Sequence, residues 1–278
     1  MTRHRRVSVI AEIGSTHEGS STAMLEAIGE ARKADADVIK FQWVSDAKKL
    51  TMRRRALDYE DSYRKIEYSP HILRQLKAEC DRVGIEFACT VYLPEDVAII
   101  SPYTQFYKIS SFENEDRELY DAVLRAEIRP IVISLGMMTM EEARAVQLRA
   151  KDAYRVKWLH CVSAYPAALH TLQLGILRGG IYDGLSDHSR NELTGAVAVG
   201  AGAEIIETHV RCTDTPSSNA DYGVSFTWAE FGRYVANIRL AAMLCGLGVD
   251  SSETAGPSRT LGCVEESFKQ YKVKGAAR

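Results

Sequence analysis

The chain has 278 residues, 46% hydrophobic and 26% charged, and 35 Lys and Arg against 37 Asp and Glu leave a formal net charge of -2. That balance excludes a disordered tail, a collagen-like or coiled-coil rod, and a basic field able to hold nucleic acid or an anionic membrane. No window reaches the roughly 18 consecutive apolar residues of a membrane span, and the opening MTRHRR lacks a signal-peptide stretch, so a soluble, cytoplasmic protein is expected.

In chain order, the apolar runs that suit buried parallel strands are VSVIAEI (7–13), VIKFQ (38–42), IEFACTV (85–91), FYKIS (106–110), PIVISL (130–135), VKWLHCV (156–162), YDGLSDH (182–188) and EIIETHV (204–210). Helical patterns stand between them: STAMLEAIGEARKA (21–34), SPHILRQLKAECDRVG (69–84), DRELYDAVLRAE (116–127), MEEARAVQLRAKDA (140–153) and NELTGAVAVGAG (191–202). Several stop at a Gly just before the next strand, as helices do. The alternation repeats eight times with a period of about thirty residues, which predicts an α/β fold of the (β/α)8 TIM-barrel type over residues 1–246. No GxGxxG follows the first strand, which argues against an open nucleotide-binding sheet.

Residues 41–70 break the rhythm with a polar, Arg-rich insertion (AKKLTMRRRALDYEDSYRKIEY) after the second strand, on what would be the active face of a barrel. Residues 53–55 read as a solvated charge run, with contact to a partner or an acidic acceptor as the alternative. A last helix, TWAEFGRYVANIRLAAMLCG (227–246), closes the barrel. The tail, 247–278, is Ser/Gly-rich with one short amphipathic segment and too little chain for a second domain. Six cysteines (Cys80, Cys89, Cys161, Cys212, Cys245 and Cys263) lack CxxC spacing and read as reduced core thiols.

In a barrel the side chains near the carboxyl ends of the strands converge on one pocket. Those positions hold Glu12, Lys40, Thr90, Lys108 with Ser111 and Glu113, Ser134, Ser163, Ser186 with Asp187 and His188, and His209. Two lysines and several hydroxyls at one rim suit a compact polyanion such as the phosphate ester of a small metabolite. His188 and His209 end adjacent strands and could ligate one divalent ion, with Asp187, Asp221 and Glu12 within call. Two imidazoles with few carboxylates suit Mn2+ or another transition ion better than Ca2+. Glu12 and Glu113 are the candidates for proton transfer, the alternative being that each neutralises a lysine. His160, within an apolar strand, reads as a packing residue.

The strings IAEIGSTHEG, VIKFQ, YKISSFE, PIVISLGM, LHCVSAYP, GLSDH and IIETHV together resemble the sialic acid synthase (NeuB-type) family over residues from about 7 to the end of the last helix. The resemblance implies a transferase of carbohydrate biosynthesis that condenses phosphoenolpyruvate with the aldehyde of an open-chain sugar, typically N-acetylmannosamine or a relative. It places phosphoenolpyruvate on Lys40, Thr90, Lys108, Ser111, Ser134, Ser163 and Ser186, a divalent metal (Mn2+, with Mg2+ or Co2+ as alternatives) on His188 and His209, and acid/base work on Glu12 and Glu113, with His188 also in the catalytic set. It assigns Tyr165, Asp221 and Ser225 to substrate binding, the last two in the acceptor segment NADYGVSF. It also implies a homodimer.

The departures from the family pattern fall on the acceptor side. The usual Asn-His-x-Gly is Thr16-His17-Glu18-Gly19 here, where Thr lacks the amide's two donors, and Thr-Pro-Phe becomes Thr90-Val91-Tyr92. The loop RCTDTPSSNADYG lacks the common Pro-Gly-Pro-Asp run. Typical members carry a C-terminal antifreeze-like domain, so the expectation here is either a separate capping protein or an unconventional acceptor. Two further readings stay open: a lyase or aldolase acting on another phosphorylated substrate, and a non-catalytic barrel serving as partner subunit or metabolite sensor.

Overall fold

Eight strands pair in chain order, all in parallel, into a closed barrel: β1 (Ser8–Gly14), β2 (Val38–Gln42), β3 (Glu86–Thr90), β4 (Tyr107–Ile109), β5 (Ile131–Leu135), β6 (Val156–Cys161), β7 (Gly184–Asp187) and β8 (Ile205–His209), with β8 closing on β1. The computed structural model describes residues 6–126, 129–149 and 153–247. Each of the eight apolar runs forms a strand within two residues of its expected bounds.

The helices are α1 (Ser21–Lys33), α2 (Ala47–Arg54), α3 (Glu60–Arg64), α4 (Pro70–Val83), α5 (Asp96–Ile100), α6 (Arg117–Arg125), α7 (Met140–Arg149), α8 (Thr194–Gly200) and α9 (Trp228–Leu244). Local chemistry sets their ends. Ser20 and Asp116 accept from backbone amides at the starts of α1 and α6, and Ser69 with Pro70 opens α4, which stops at left-handed Gly84. Thr227 and Glu230 form a reciprocal capping box at the start of α9.

The alternation of side chains along each strand builds the site. Ile10, Val38, Ala88, Phe106, Val132 and Leu159 face inward as one apolar storey inside the barrel. Two residues further along the same strands stand Glu12, Lys40, Thr90, Lys108, Ser134 and Cys161, so the inward face turns from apolar to polar toward the carboxyl ends. The opposite parity, including Val9, Ala11, Ile13, Ile39, Phe41 and Ile206, packs under the helices. Each such fully buried aliphatic or aromatic side chain contributes about 1.5–3 kcal/mol.

Three expectations are corrected. The eightfold alternation is incomplete, because the β6–β7 connection carries only 3-10 turns (Leu169–Thr171 and Leu174–Gly179); Gly175, Gly179 and Gly180 break it, and Gln173 and Gly180 take left-handed φ. The stretch after β2 is not a plain polar insertion but holds α2, capped by Asp46, and α3. Helix α8 starts later than residue 191, since the Ser189 and Asn191 side chains bond to backbone amides in the preceding turn. The tail from residue 248 onward, Cys263 included, lies outside the described residues.

Candidate active site

The carboxyl ends of the strands open into a cavity of about 450 Å³. On its floor Lys40 Nζ lies 2.5 Å from Glu12 Oε2 and donates to Thr90 Oγ1 at 2.8 Å. Gln42 Nε2 holds the other Glu12 oxygen at 2.7 Å. Lys108 Nζ donates to Ser134 Oγ at 2.8 Å and to the Ile109 carbonyl. Glu207 stands between the two ammonium groups, 3.8 Å from Lys40 and 3.7 Å from Lys108, and accepts from Ser186 at 3.0 Å. All of these except Gln42 are buried.

Burial opposes every charge on this floor. At Lys40 the Glu12 and Glu207 carboxylates overcome it and the pKa is raised; at Lys108 burial wins and the pKa is lowered. Glu207 resists burial through Lys108, Lys40 and Ser186, and its carboxyl sits well below the usual range. Lys108 is thus the cation with more to gain from an incoming anion.

His188 and His209 face each other with ring centroids 5.3 Å apart, and Tyr165 stacks on His188 at 4.3 Å. His188 Nδ1 meets the Val162 carbonyl at 2.9 Å. His209 is buried, burial lowers its pKa and keeps the ring neutral, and its Nδ1 has no hydrogen-bond partner. A neutral, unpartnered imidazole beside a second one fits a divalent ion. Among the described residues no cluster of three or more His, Cys, Asp or Glu could hold a metal, so such an ion would keep positions for substrate oxygen or water.

The upper wall comes from loops. Gly14 ends β1 with φ 57 at a register shift, and a side chain there would come within 2.7 Å of Asp221 Oδ2, so only glycine admits Asp221, which accepts from the Ser15 amide and hydroxyl. Asn219 fixes that loop by accepting from the Asp221 amide and donating to the Ser15 carbonyl and Glu18. Thr16 is buried and spends its hydroxyl on the Ile13 carbonyl and the Cys212 amide.

Glu12, Lys40, Thr90, Lys108, Ser111, Ser134, Tyr165, Ser186, His188, His209 and Asp221 all line this one cavity. Ser163 does not, although its Oγ and that of Ser111 crowd Gly136, where a Cβ would sit 2.3 and 2.7 Å from them. Glu113 does not line it either: its carboxylate bonds Arg54 and Ser110 and reaches neither lysine. Ser225 is fully buried and bonds back to the Asp221 carbonyl, so it offers no group to an acceptor. Asp187 has the outward parity of β7 and accepts from Tyr234 on α9 at 2.8 Å, which removes it from any metal set. His160 packs outward against Tyr182 and the Leu172 carbonyl.

Four contributors went unread in the sequence. Glu207 precedes His209 by two residues and Cys161 follows Leu159 by two, so strand parity alone marks both as inward. Cys161, read as a core thiol, lies 3.4 Å from Ser111 Oγ and 3.8 Å from His188 Nδ1. Gln42 likewise follows Lys40 by two. Arg54, read as part of a solvated run, turns into the cavity, while Arg53 bonds Asp116 and Glu118. In a second hollow at the opposite end of the barrel Arg6 pairs with Asp35 and Asp37 of the same lining, and Lys157 with Asp183 beside it.

The NeuB family pattern matches residues 27–250. Pseudaminic acid synthase of Campylobacter jejuni subsp. jejuni serotype O:23/36 is 30% identical over 279 residues, covering 92% of this chain and 80% of its own length. Human N-acetylneuraminate-9-phosphate synthase is 26% identical, covering 86% of this chain and 71% of its own length. The structure of N-acetylneuraminic acid synthetase from Leptospira borgpetersenii serovar Hardjo-bovis superposes with a TM-score of 0.83 at 23% identity, over 99% of this chain and 94% of that chain, which shows a shared fold.

Proposed function

The chain belongs to the NeuB family, and from that premise we propose that it joins phosphoenolpyruvate to the aldehyde carbon of an open-chain amino sugar or related aldose, giving a 2-keto-3-deoxy sugar acid and inorganic phosphate. The observation that carries this reading is the floor: two buried lysines with Thr90, Ser134 and Ser186 around one cavity, a donor set matched to the phosphate and carboxylate of an enol ester. The reaction needs an electron-rich C3 held against an electrophilic carbon, and the floor supplies position and charge for that.

Lys108, the cation less satisfied by protein carboxylates, takes the phosphate together with Ser134; Lys40 and Thr90 take the rest of the ester. The C3 electron pair forms the new C–C bond, the aldehyde oxygen gains a proton, water adds at C2, and the C2–O bond to phosphate breaks as the ketone forms. Glu12, oriented by Gln42 and Lys40, is the carboxylate placed to take the proton from that water. Tyr165, stacked on His188, and Asp221, oriented by Ser15, hold the acceptor on the upper wall. A divalent cation, Mn2+ foremost, held by His188 and His209 would polarise the aldehyde oxygen.

The test mixes the protein with Mn2+, phosphoenolpyruvate and a panel of aldoses and amino sugars. Phosphate release that requires an acceptor, with a product three carbons longer by mass spectrometry, is expected, and Lys108→Met should abolish it. Binding of phosphoenolpyruvate without turnover on any aldehyde would reject the synthase in favour of a sensor.

A further inference from the structure

The segment between β2 and α4 forms one wall of the cavity through Arg54, Ala56, Tyr59, Ser62, Tyr63 and Ile66. Its one charged lining group is Arg54, and that charge is already matched. The guanidinium Nε donates to Glu113 Oε1 at 2.6 Å, Nη2 lies 2.5 Å from the same oxygen, and Nη1 donates to the Tyr63 hydroxyl at 3.0 Å. Its carbon lies 5.1, 4.8 and 4.9 Å from the ring centroids of Tyr63, Tyr92 and Phe112. The second Glu113 oxygen accepts from Ser110. Both partners are largely withdrawn from solvent, with side-chain exposures of 12% and 4%.

The two lining lysines, Lys40 and Lys108, belong to the floor, where Glu12 and Glu207 attend them. Across the mouth stands Asp221, an anion. An anionic group on the far end of an acceptor would therefore meet a spent cation, aromatic rings and a carboxylate. To use Arg54 it would have to strip Glu113 of its partner inside a buried site, which is strongly unfavourable. An uncharged sugar meets no such obstacle, and the rings of Tyr59 and Phe112, both exposed, offer flat apolar surface to its C–H faces.

We propose that the Arg54–Glu113 pair determines acceptor choice: the wall admits an aldose that is uncharged at the end facing residues 54–66 and turns away its phosphorylated counterpart. This rests on the synthase reading above and narrows its substrate class.

The decisive measurement uses the full chain with Mn2+ and phosphoenolpyruvate, comparing N-acetylmannosamine with the same sugar phosphorylated on its terminal hydroxyl. A kcat/KM ratio of about a hundredfold or more for the neutral sugar is expected, the scale of breaking a buried pair. Equal or better use of the phosphorylated sugar overturns the proposal. Glu113→Gln, which frees the Arg54 charge, should narrow the ratio by about tenfold, the weight of one charged contact, whereas a merely structural role for the pair would leave the ratio unmoved while lowering both rates. If neither sugar is turned over, the synthase reading fails separately. Calorimetry of both sugars on the phosphoenolpyruvate-loaded protein then decides the wall, with tighter binding of the phosphorylated sugar refuting it and tighter binding of the neutral one supporting it.

Discussion

Glu12 and Lys40 are register partners on β1 and β2, and their charged atoms lie 2.5 Å apart inside the barrel. Removing the cation alone, as in Lys40→Met, leaves Glu12 and Glu207 buried with less compensation. It should destabilise the fold by about 3–5 kcal/mol, the scale for breaking a buried pair, and eliminate phosphoenolpyruvate binding. Urea titration of Lys40→Met against Lys40→Met/Glu12→Leu reads this out. The double variant should recover part of the loss, and additive losses would refute the coupling.

His17 gives the fold a pH dependence of its own. Burial holds its imidazole down at about 4 against an ordinary 6.5, so between those values the unfolded chain binds a proton that the folded chain does not. The stability due to the neutral ring is complete above 6.5 and disappears as pH falls toward 4, by up to ~3 kcal/mol. His17→Asn keeps an acceptor for the Gly19 amide and should erase that slope, as judged by guanidinium midpoints at pH 7 and 5. An unchanged slope would mean that other groups carry it.

Gly136→Ala tests whether the serine pair matters to the anion site. The new Cβ would lie 2.3 Å from Ser163 Oγ and 2.7 Å from Ser111 Oγ, too close for either to stay. Phosphoenolpyruvate affinity should fall at least about tenfold, the weight of one or two charge-assisted hydrogen bonds, with the unfolding midpoint little changed. Retained affinity would remove Ser111 and Ser163 from the binding set.

Cys161 offers a label-based check. It lines the cavity, while Cys245 is exposed on the outside. Phosphoenolpyruvate should slow alkylation of Cys161 and leave Cys245 as reactive as before, which peptide mass spectrometry can follow. Equal rates at Cys161 with and without the ester would place the ligand elsewhere.

Strand order, barrel closure and most cavity residues were legible in the sequence because a buried parallel strand leaves a dense apolar run and an inward polar residue stands out within it, as Lys40 does in VIKFQ. Parity was the finer signal. Asp187 sits one residue from Ser186, which is enough to send it outward to Tyr234, and Glu207 was overlooked although it shares the face of His209. Glu113 and Arg54 could not be paired by reading the chain, since 59 positions separate them and only folding brings their loops together. Ser225 shows the converse limit: a motif position preserves a residue type, while its hydroxyl is turned to the local backbone.

The apolar storey of Ile10, Val38, Ala88, Phe106, Val132 and Leu159 seals the barrel beneath the lysines. The vessel is blind at its base, so traffic runs in a single lane: whatever rests on Lys40 and Lys108 arrives before its neighbour above. For the proposed reaction this makes entry ordered, with the enol ester seated first and the acceptor arriving over it.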